Sequence, residues 1–320
     1  MTLAVSGTSA VGVSFAIATC ALWAFSFVSP IVLGSFSPYV VTLGRYAVFG
    51  LVSLVLVPLA LKQLRALRAT DWLRATWLSI VGNMVYYLFL AAGIQLCDVP
   101  GPTVVMGLLP LTVPIFANVR NRELPWGTLR VPLIGIATGL FLVNAHEYQS
   151  LRISHGIFGY VLGISFAVAA LACWTWYGVS NAVWLRTRST ITATAWTIAQ
   201  GVTLLPIVVV AGAVTIGLGI ERTTIELTPE DWHRFLIVSI VVGFGSSWLA
   251  TLCWSQASRL LPTTIAGQLI VFVSVAAVIY GSVYRETPPS LAVALGVFIL
   301  VVSVVLGVRT MQRQAKSPQK

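Results

Sequence analysis

Charge is what this sequence has least of. Only 9% of its 320 residues are charged, whereas a soluble domain carries roughly 25%. Acidic residues are the rarer sign, with nine Asp and Glu against 19 Lys and Arg, and none lies inside an apolar run away from its ends. The four cysteines have no metal-site spacing and the three histidines fall in or near connectors, so neither a metal nor a cofactor is predicted. These shortages exclude an ordinary soluble enzyme.

The sequence contains long apolar runs instead, and hydrophobic residues make up 58% of it. About 20 apolar residues cross the hydrocarbon core of a bilayer, and such a segment must be helical because lipid cannot satisfy backbone hydrogen-bonding groups. The runs lie near residues 11–34, 39–61, 73–96, 100–119, 127–145, 157–184, 190–218, 234–256, 262–283 and 289–308. The predicted fold is therefore an all-α membrane protein with ten transmembrane helices, for which the lipid bilayer is the main partner.

The formal charge of +10 could suggest nucleic acid binding, but the distribution of the charge predicts a membrane topology instead. If both termini are cytoplasmic, fourteen Lys and Arg fall in inner connectors and four in outer ones. This bias follows the positive-inside rule. It predicts cytoplasmic N- and C-termini in a cell inner membrane and no nucleic acid partner.

The second half of the chain repeats parts of the first half in the same order. The matches are Cys20-Ala-Leu-Trp23 with Cys173-Trp-Thr-Trp176, Pro102-Thr103 with Pro262-Thr263, and Arg122-Glu123 with Arg285-Glu286. Five runs per half is an odd number, so the second copy must be inserted upside down. We therefore predict two inverted five-helix repeats, 11–145 and 156–310, around a central cavity, followed by a basic cytoplasmic tail at 311–320.

These features resemble the drug/metabolite transporter superfamily, whose ten-helix members consist of two EamA-type repeats. The resemblance is carried by Leu22-Trp23-Ala24, by Arg45-Tyr46 and by the Pro-Thr openings of runs 4 and 9. Within that superfamily the chain is most similar to aromatic amino acid exporters of the bacterial inner membrane. The resemblance implies a transporter rather than an enzyme, with Trp23 and Trp176 facing the cavity.

Candidate substrate contacts are polar and aromatic side chains deep inside the runs, where they need partners that lipid cannot provide. For each of them helix packing is the alternative role, and for the tyrosines of run 3 an interfacial position is another. Leu109 and Gln268 belong to cavity-lining runs, where some relatives carry other side chains. The predicted substrate-binding residues are Trp23, Asn83, Tyr86, Tyr87, Leu109, Trp176, Tyr177, Asn181, Ser246, Ser247 and Gln268.

Two further features of the runs each have two interpretations. Gly107, Pro110 and Pro114 share one face of run 4; since interior prolines remove backbone hydrogen bonds, they predict a hinge, or else a static kink. Arg45 is the one clearly intramembrane charge. It could contact the substrate, or it could bind carbonyl groups of a neighbouring helix.

The sequence thus predicts a monomeric secondary transporter that exports neutral, aromatic or apolar amino acids by alternating access. Intramembrane carboxylates and histidines usually load and release the proton in proton-driven carriers, and their scarcity here predicts facilitated diffusion. One alternative is a permease for another small metabolite, such as a vitamin, nucleobase or drug. A more distant one is a lipid-active enzyme that uses the outer connector containing Glu221, Glu226, Glu230, Asp231 and His233.

Overall fold

A computed structural model describes residues 5–27, 29–97, 100–149, 156–188, 190–218, 227–286 and 288–316. Within these ranges ten helical stretches are long and apolar enough to cross a membrane. This finding confirms the predicted all-α membrane fold with ten transmembrane helices. We number the stretches spans 1 to 10. The end of the bundle at which span 2 finishes and span 3 begins carries most of the Lys and Arg side chains, and we call it the basic end.

Five spans are continuous helices. The most apolar window of each has a mean hydropathy between 1.5 and 3.0, so the whole length favours the hydrocarbon. Their bounds are Pro38–Arg65 for span 2, Trp126–Gln149 for span 5, Gly156–Thr187 for span 6, Ala193–Leu218 for span 7 and Leu291–Lys316 for span 10.

The other five spans change their helical geometry part of the way across. Span 1 comprises Val5–Ala24, a 3-10 turn at Phe25–Phe27 and Ser29–Val32. Spans 4 and 9 each break after a short first helix: Pro100–Met106 then Leu109–Asn121, and Thr263–Leu269 then Phe272–Arg285. Spans 3 and 8 each contain a π-helical segment: Ala69–Ser79, Ile80–Val85 and Tyr86–Cys97 in span 3, and Pro229–Val241, Val242–Leu249 and Ala250–Leu260 in span 8.

The spans pack in a regular pattern. Span 5 packs most extensively against span 10, span 2 against span 7, span 3 against span 6, span 1 against span 8, and span 4 against span 9. This pattern is unchanged when every span is exchanged with the one five positions along the chain. The π-helical segments (spans 3 and 8) and the broken helices (spans 4 and 9) are exchanged in the same way.

Spans 5 and 10 approach each other at a pair of glycines. A Cβ atom added to Gly139 would lie 2.9 Å from the carbonyl oxygen of Gly296, and one added to Gly296 would lie 2.9 Å from the carbonyl oxygen of Gly139. Glycine suits this contact, because each added Cβ would meet a backbone carbonyl oxygen of the other helix, which cannot rotate away, as well as the side chain of Leu300 or Val143. Small residues at such crossings are how membrane helices maximise packing.

Acidic residues at two span starts serve as helix caps. The Asp71 carboxylate accepts a hydrogen bond from the backbone N–H of Arg68 at 3.0 Å in span 3. In span 8 the Asp231 carboxylate accepts from the N–H of Thr228 at 2.9 Å, and the Thr228 hydroxyl accepts from the N–H of Asp231. These carboxylates satisfy donors that every helix start leaves free.

Candidate functional site

A buried arginine and two serines form the most polar contact between spans in the middle of the bundle. The Nε of Arg45 in span 2 donates to the hydroxyl of Ser247 in span 8 at 2.6 Å, and its Nη2 donates to the carbonyl oxygen of Ser246 at 3.1 Å. The guanidinium carbon lies 4.1 Å from the ring centre of Tyr87 and 5.5 Å from that of Tyr46. We call these five residues the Arg45 cluster.

The π-helical segment of span 8 explains why a carbonyl group is available to Arg45. Wider turns disturb the regular i to i−4 ladder, and such segments occur frequently at functional sites. The hydroxyl of Ser246 donates to the carbonyl oxygen of Leu22 at 2.6 Å, so the same segment also holds span 1. A Cβ on Gly243 would lie 2.6 Å from the carbonyl oxygen of Arg45, which shows how closely spans 2 and 8 approach.

The predicted polar face of span 3 is only partly brought together. The Tyr87 hydroxyl lies 2.6 Å from the hydroxyl of Ser29 in span 1, and Tyr86 packs half-buried beside it. Asn83 lies within the π-helical segment, and its buried Nδ2 has no hydrogen-bond partner. The face was predicted with a regular period of 3.6 residues, whereas the π-helical turn changes the direction in which residues before Tyr86 point.

Three tryptophans from three spans pack together, and the first of them, Trp23, follows Leu22, whose carbonyl oxygen accepts from Ser246 of the Arg45 cluster. The ring centres of Trp23 and Trp174 are 5.0 Å apart, those of Trp23 and Trp254 are 5.6 Å apart, and those of Trp174 and Trp254 are 5.1 Å apart. Sequence reasoning selected Trp23 but chose Trp176 in span 6, which lies half-buried against the core. Residues two apart on a helix cannot share a face, and this spacing alone does not say which of the two faces the centre.

Two predicted contacts of span 6 lie in a network with span 7. The Oδ1 of Asn181 accepts from Trp196 Nε1 at 2.7 Å and from Gln200 Nε2 at 3.3 Å. The Tyr177 hydroxyl donates to Gln200 Oε1 at 3.3 Å, and its ring packs so closely on Gly82 that a Cβ there would collide with it. This arrangement corresponds to the packing alternative for Tyr177 and Asn181.

Replacing Asn181 by Ala should therefore lower stability and leave substrate affinity unchanged. The change removes the acceptor of two buried donors, and hydrogen bonds between membrane helices are worth about 0.6 kcal/mol on average and up to about 1.7. Thermal unfolding of the purified protein in detergent measures the first effect and half-saturating substrate concentration the second. Thr203→Ala is the control, since the Thr203 hydroxyl bonds to carbonyls of its own helix. A tenfold weaker substrate affinity at unchanged stability would instead indicate that Asn181 contacts the substrate.

Spans 4 and 9 are both broken, and the second helix of span 4 packs against the first helix of span 9. The interruption in span 4 falls at Gly107 and Leu108, and Leu109 and Pro110 begin the second helix. Pro110 thus occupies a helix start, where a missing N–H costs no hydrogen bond, and Pro114 is the interior proline. A Cβ on Gly267 of span 9 would lie 2.8 Å from Pro114. The prediction of two interior prolines was wrong for Pro110, while the hinge itself stays a prediction.

Two predicted site residues of spans 4 and 9 lie away from the Arg45 cluster. Leu109 is buried at the start of the second helix of span 4. Gln268 is fully buried, and neither atom of its amide group has a hydrogen-bond partner. A Cβ on Gly307 of span 10 would collide with Gln268 Oε1, so this amide packs against span 10.

Arg186, which is not among the predicted site residues, connects several spans at the basic end. Arg186 at the end of span 6 donates to the Glu123 carboxylate at 2.7 Å, to the carbonyl oxygen of Leu261 at 2.6 Å and to the Thr263 hydroxyl at 2.9 Å. The second carboxylate oxygen of Glu123 accepts from the backbone N–H of Thr264 at 2.8 Å. This Arg186 network joins spans 4, 6 and 9.

The electrostatics of Glu123 favour its charged form. Burial by itself would raise the pKa of this carboxyl group, but the Thr264 N–H and the Arg186 guanidinium outweigh burial and hold the pKa below its usual range. A second ion pair at the same end joins Arg188 to Asp71 of span 3 at 3.0 Å. Glu123 and Asp71 thus both pair with the end of span 6.

A family model, a curated relative and a solved structure each match this chain. Residues 10–145 match the EamA-like transporter family. Inner membrane protein YtfF of Escherichia coli (strain K12) is 34% identical over 309 residues, which cover 93% of this chain and 95% of that protein. One solved crystal structure superposes with a TM-score of 0.71 at 16% identity, covering 98% of this chain and 99% of the other. At this identity the likeness shows the fold alone.

Proposed function

We propose that this chain, which belongs to the EamA-like transporter family, exports neutral amino acids with aromatic or apolar side chains. The observation that carries the proposal is the link between the Arg45 cluster and three packed tryptophans: Ser246 donates to the carbonyl oxygen of Leu22, the residue before Trp23, and Trp23 packs with Trp174 and Trp254. An amino acid needs polar partners at one end and an apolar surface at the other. Hydroxyl groups and tyrosine rings suit the first need, and indole rings suit the second.

The packing pattern supports two inverted repeats, 11–145 and 156–310, that alternate the site between the membrane faces. Exchange of spans five positions apart preserves the main contacts, and carriers of this kind rock one repeat against the other around a central site. The breaks in spans 4 and 9 are the places where bending would require the fewest hydrogen bonds to change. With the basic end cytoplasmic, as the positive-inside rule requires, the Arg186 network closes the inner side. A monomer suffices for this mechanism.

Transport without proton coupling follows from the same chemistry. No Asp or Glu lies inside a span away from its ends, and the three ion pairs of the described residues lie at span ends. A proton-driven carrier usually needs an intramembrane group that titrates. We therefore expect the substrate gradient alone to drive flux.

Counterflow into liposomes tests this function directly. Liposomes that contain the purified protein and unlabelled phenylalanine or leucine should take up the labelled amino acid faster than protein-free liposomes. An imposed pH gradient should leave the rate unchanged. Accumulation that follows the pH gradient and is abolished by an uncoupler would disprove the uncoupled mechanism. Absence of flux for every neutral amino acid would disprove the cargo and favour another small metabolite.

Family membership favours a transporter over the lipid-active enzyme, and the local structure agrees. Of the five residues considered for that enzyme, Glu221 and Glu226 lie outside the described residues. Asp231 caps the start of span 8, and Glu230 pairs with Arg234 one turn along the same helix at 3.3 Å. Alanine variants of Glu230 and Asp231 should keep the full counterflow rate.

A further inference from the structure

Arg45 is an arginine that the structure buries within the membrane bundle. It lies seven residues after Pro38, the first residue of span 2, which is about 10 Å of helix at 1.5 Å per residue. Only 4% of its surface is exposed. The side chain therefore does not extend to the membrane surface, as long basic side chains near helix ends usually do.

The polar partners of Arg45 leave one nitrogen of the guanidinium without a hydrogen bond. Ser247 and the carbonyl group of Ser246 take up Nε and Nη2. The rings of Tyr87 and Tyr46 lie close to the guanidinium and attract its charge. Nη1 is buried and has no hydrogen-bond partner. A group that is held on one edge and unpaired on the other is preorganised to bind a ligand.

The charge of Arg45 also has no carboxylate partner among the described residues. All three described ion pairs involve other arginines, namely Arg186, Arg188 and Arg234. An arginine stays protonated inside proteins, and a buried charge without an opposite charge is strongly unfavourable. Two serine contacts and two tyrosine rings offset part of that cost. An anion at Nη1 would offset much more of it.

We infer that Arg45 is the anion subsite of the transport site and that its Nη1 binds the carboxylate of the cargo. This inference rests on the proposed transport function and narrows it to small molecules that carry an anionic group. The carboxylate would lie beside Tyr87, whose hydroxyl is already bonded to Ser29. The apolar part of the same molecule would extend towards Trp23 and its two tryptophan neighbours. Because Nη1 is closed to solvent in this conformation, the anion enters only when the spans separate.

The test compares ligands that differ only at the carboxylate. Purified full-length protein is titrated with L-phenylalanine, with 3-phenylpropionate, which lacks the ammonium group, and with L-phenylalaninamide, which lacks the carboxylate. A parallel series uses leucine and leucinamide. Thermal stabilisation gives the half-saturating concentration of each ligand and does not require flux. We expect the acids to bind about 10- to 100-fold more tightly than the amides, since hydrogen bonds to a buried charge are of that strength.

Two variants separate binding from folding. Arg45→Gln should reduce the preference for the acid over the amide ligand to about twofold or less, because the glutamine side chain carries no charge. Arg45→Lys keeps the charge but loses the planar fork, so it should retain part of the preference. Arg234→Gln is the matched control, since Arg234 pairs with an exposed glutamate at a span end. A purely structural arginine would lower the melting temperature without changing the ratio between acid and amide.

Each outcome decides the inference. Equal stabilisation by acid and amide in the unmodified protein, or no stabilisation by any acid, overturns it even if the Arg45→Gln protein does not fold. Counterflow in the same preparation tests the transport function separately. Flux without discrimination between acid and amide would keep the function and overturn the role of Arg45. Discrimination in binding without flux would keep the anion subsite and overturn the transport function.

Discussion

Replacing Glu123 by Gln is expected to open the basic end of the bundle. The neutral side chain keeps the shape of glutamate but loses the charge that Arg186 binds, and it weakens the acceptor of the Thr264 N–H. The Arg186 side chain is 32% exposed and that of Glu123 is 10% exposed, so the pair is partly screened by solvent. The loss should be about 1–2 kcal/mol, which changes the ratio of open to closed protein by about 5- to 30-fold.

A cysteine at Ser258 measures this opening. Ser258 is fully buried, and its carbonyl oxygen accepts from Arg186 Nε at 3.3 Å. In a background in which Cys20, Cys97, Cys173 and Cys253 are replaced, Ser258→Cys should react with a polar thiol reagent about 5- to 30-fold faster when Glu123→Gln is added. Glu230→Gln is the control, because its ion pair with Arg234 is exposed and at the opposite end. An unchanged labelling rate would show that the Arg186 network does not hold the bundle closed.

Arg186→Gln should produce the same opening by removing the other partner. If the two side chains act together, the double variant should label little faster than either single variant, because residues in direct contact are not additive. Labelling rates that multiply would indicate that Arg186 acts through the Ser258 and Leu261 carbonyls and the Thr263 hydroxyl rather than through Glu123. The pair Arg188 and Asp71 remains in all of these variants and limits how far the end opens.

The pH dependence of the closed basic end has a definite sign. The Arg186 network lowers the pKa of Glu123, so the closed form is stabilised by the ionised carboxylate. That stabilisation is complete above the usual pKa of a glutamate and is lost as the pH falls through the lowered value. Relative to a free thiol at the same pH, which corrects for the falling thiolate fraction, labelling at Ser258→Cys should therefore accelerate only in acid, and Glu123→Gln should remove this relative acceleration. The network is intact at neutral pH.

The ten spans could be predicted from the sequence because a bilayer imposes length and hydropathy on every crossing segment. Which side chains contact one another could not be predicted from the sequence. Arg45 is about 200 positions from Ser246 and Ser247, and only the packing of span 2 against span 8 makes them partners. The choice between Trp174 and Trp176 depended on the rotation of span 6, which an apolar helix does not reveal. Nor could the sequence show that Asn181 contacts Trp196 and Gln200 of span 7.

Local geometry limited the prediction in a second way. The face containing Asn83, Tyr86 and Tyr87 was predicted from the period of a regular helix, and a π-helical segment from Ile80 to Val85 interrupts that period. Nothing in the composition of this segment identifies a π-helix, because the wider turn is stabilised by neighbours such as Tyr177 packing on Gly82. The site residues therefore stay a prediction, and a regular helical period could not give their arrangement in span 3.

The crossing of spans 5 and 10 should tolerate no side chain. Gly296→Val places a branched side chain against the carbonyl oxygen of Gly139. The Cβ atom alone would lie 2.9 Å from that oxygen, and the two methyl groups of valine need further space. Since the opposing atoms are backbone, the helices themselves must move apart, and overpacking of this kind costs about 1–3 kcal/mol. Thermal unfolding in detergent measures the loss. Gly212→Val in span 7 is the control, because no atom lies within 4 Å of a Cβ added there.

The reciprocal variant, Gly139→Val, tests the same crossing from the other helix. Gly139→Val should destabilise by a similar amount, because a Cβ there meets the Gly296 carbonyl oxygen at the same distance. Both changes act on one crossing, so once either valine has separated the helices, the second should add less than its own single effect. Full additivity, or a stable Gly296→Val protein, would mean that spans 5 and 10 are not held together at this glycine pair. The two repeats would then have to be joined mainly by the other four pairs, spans 2 and 7, 3 and 6, 1 and 8, and 4 and 9.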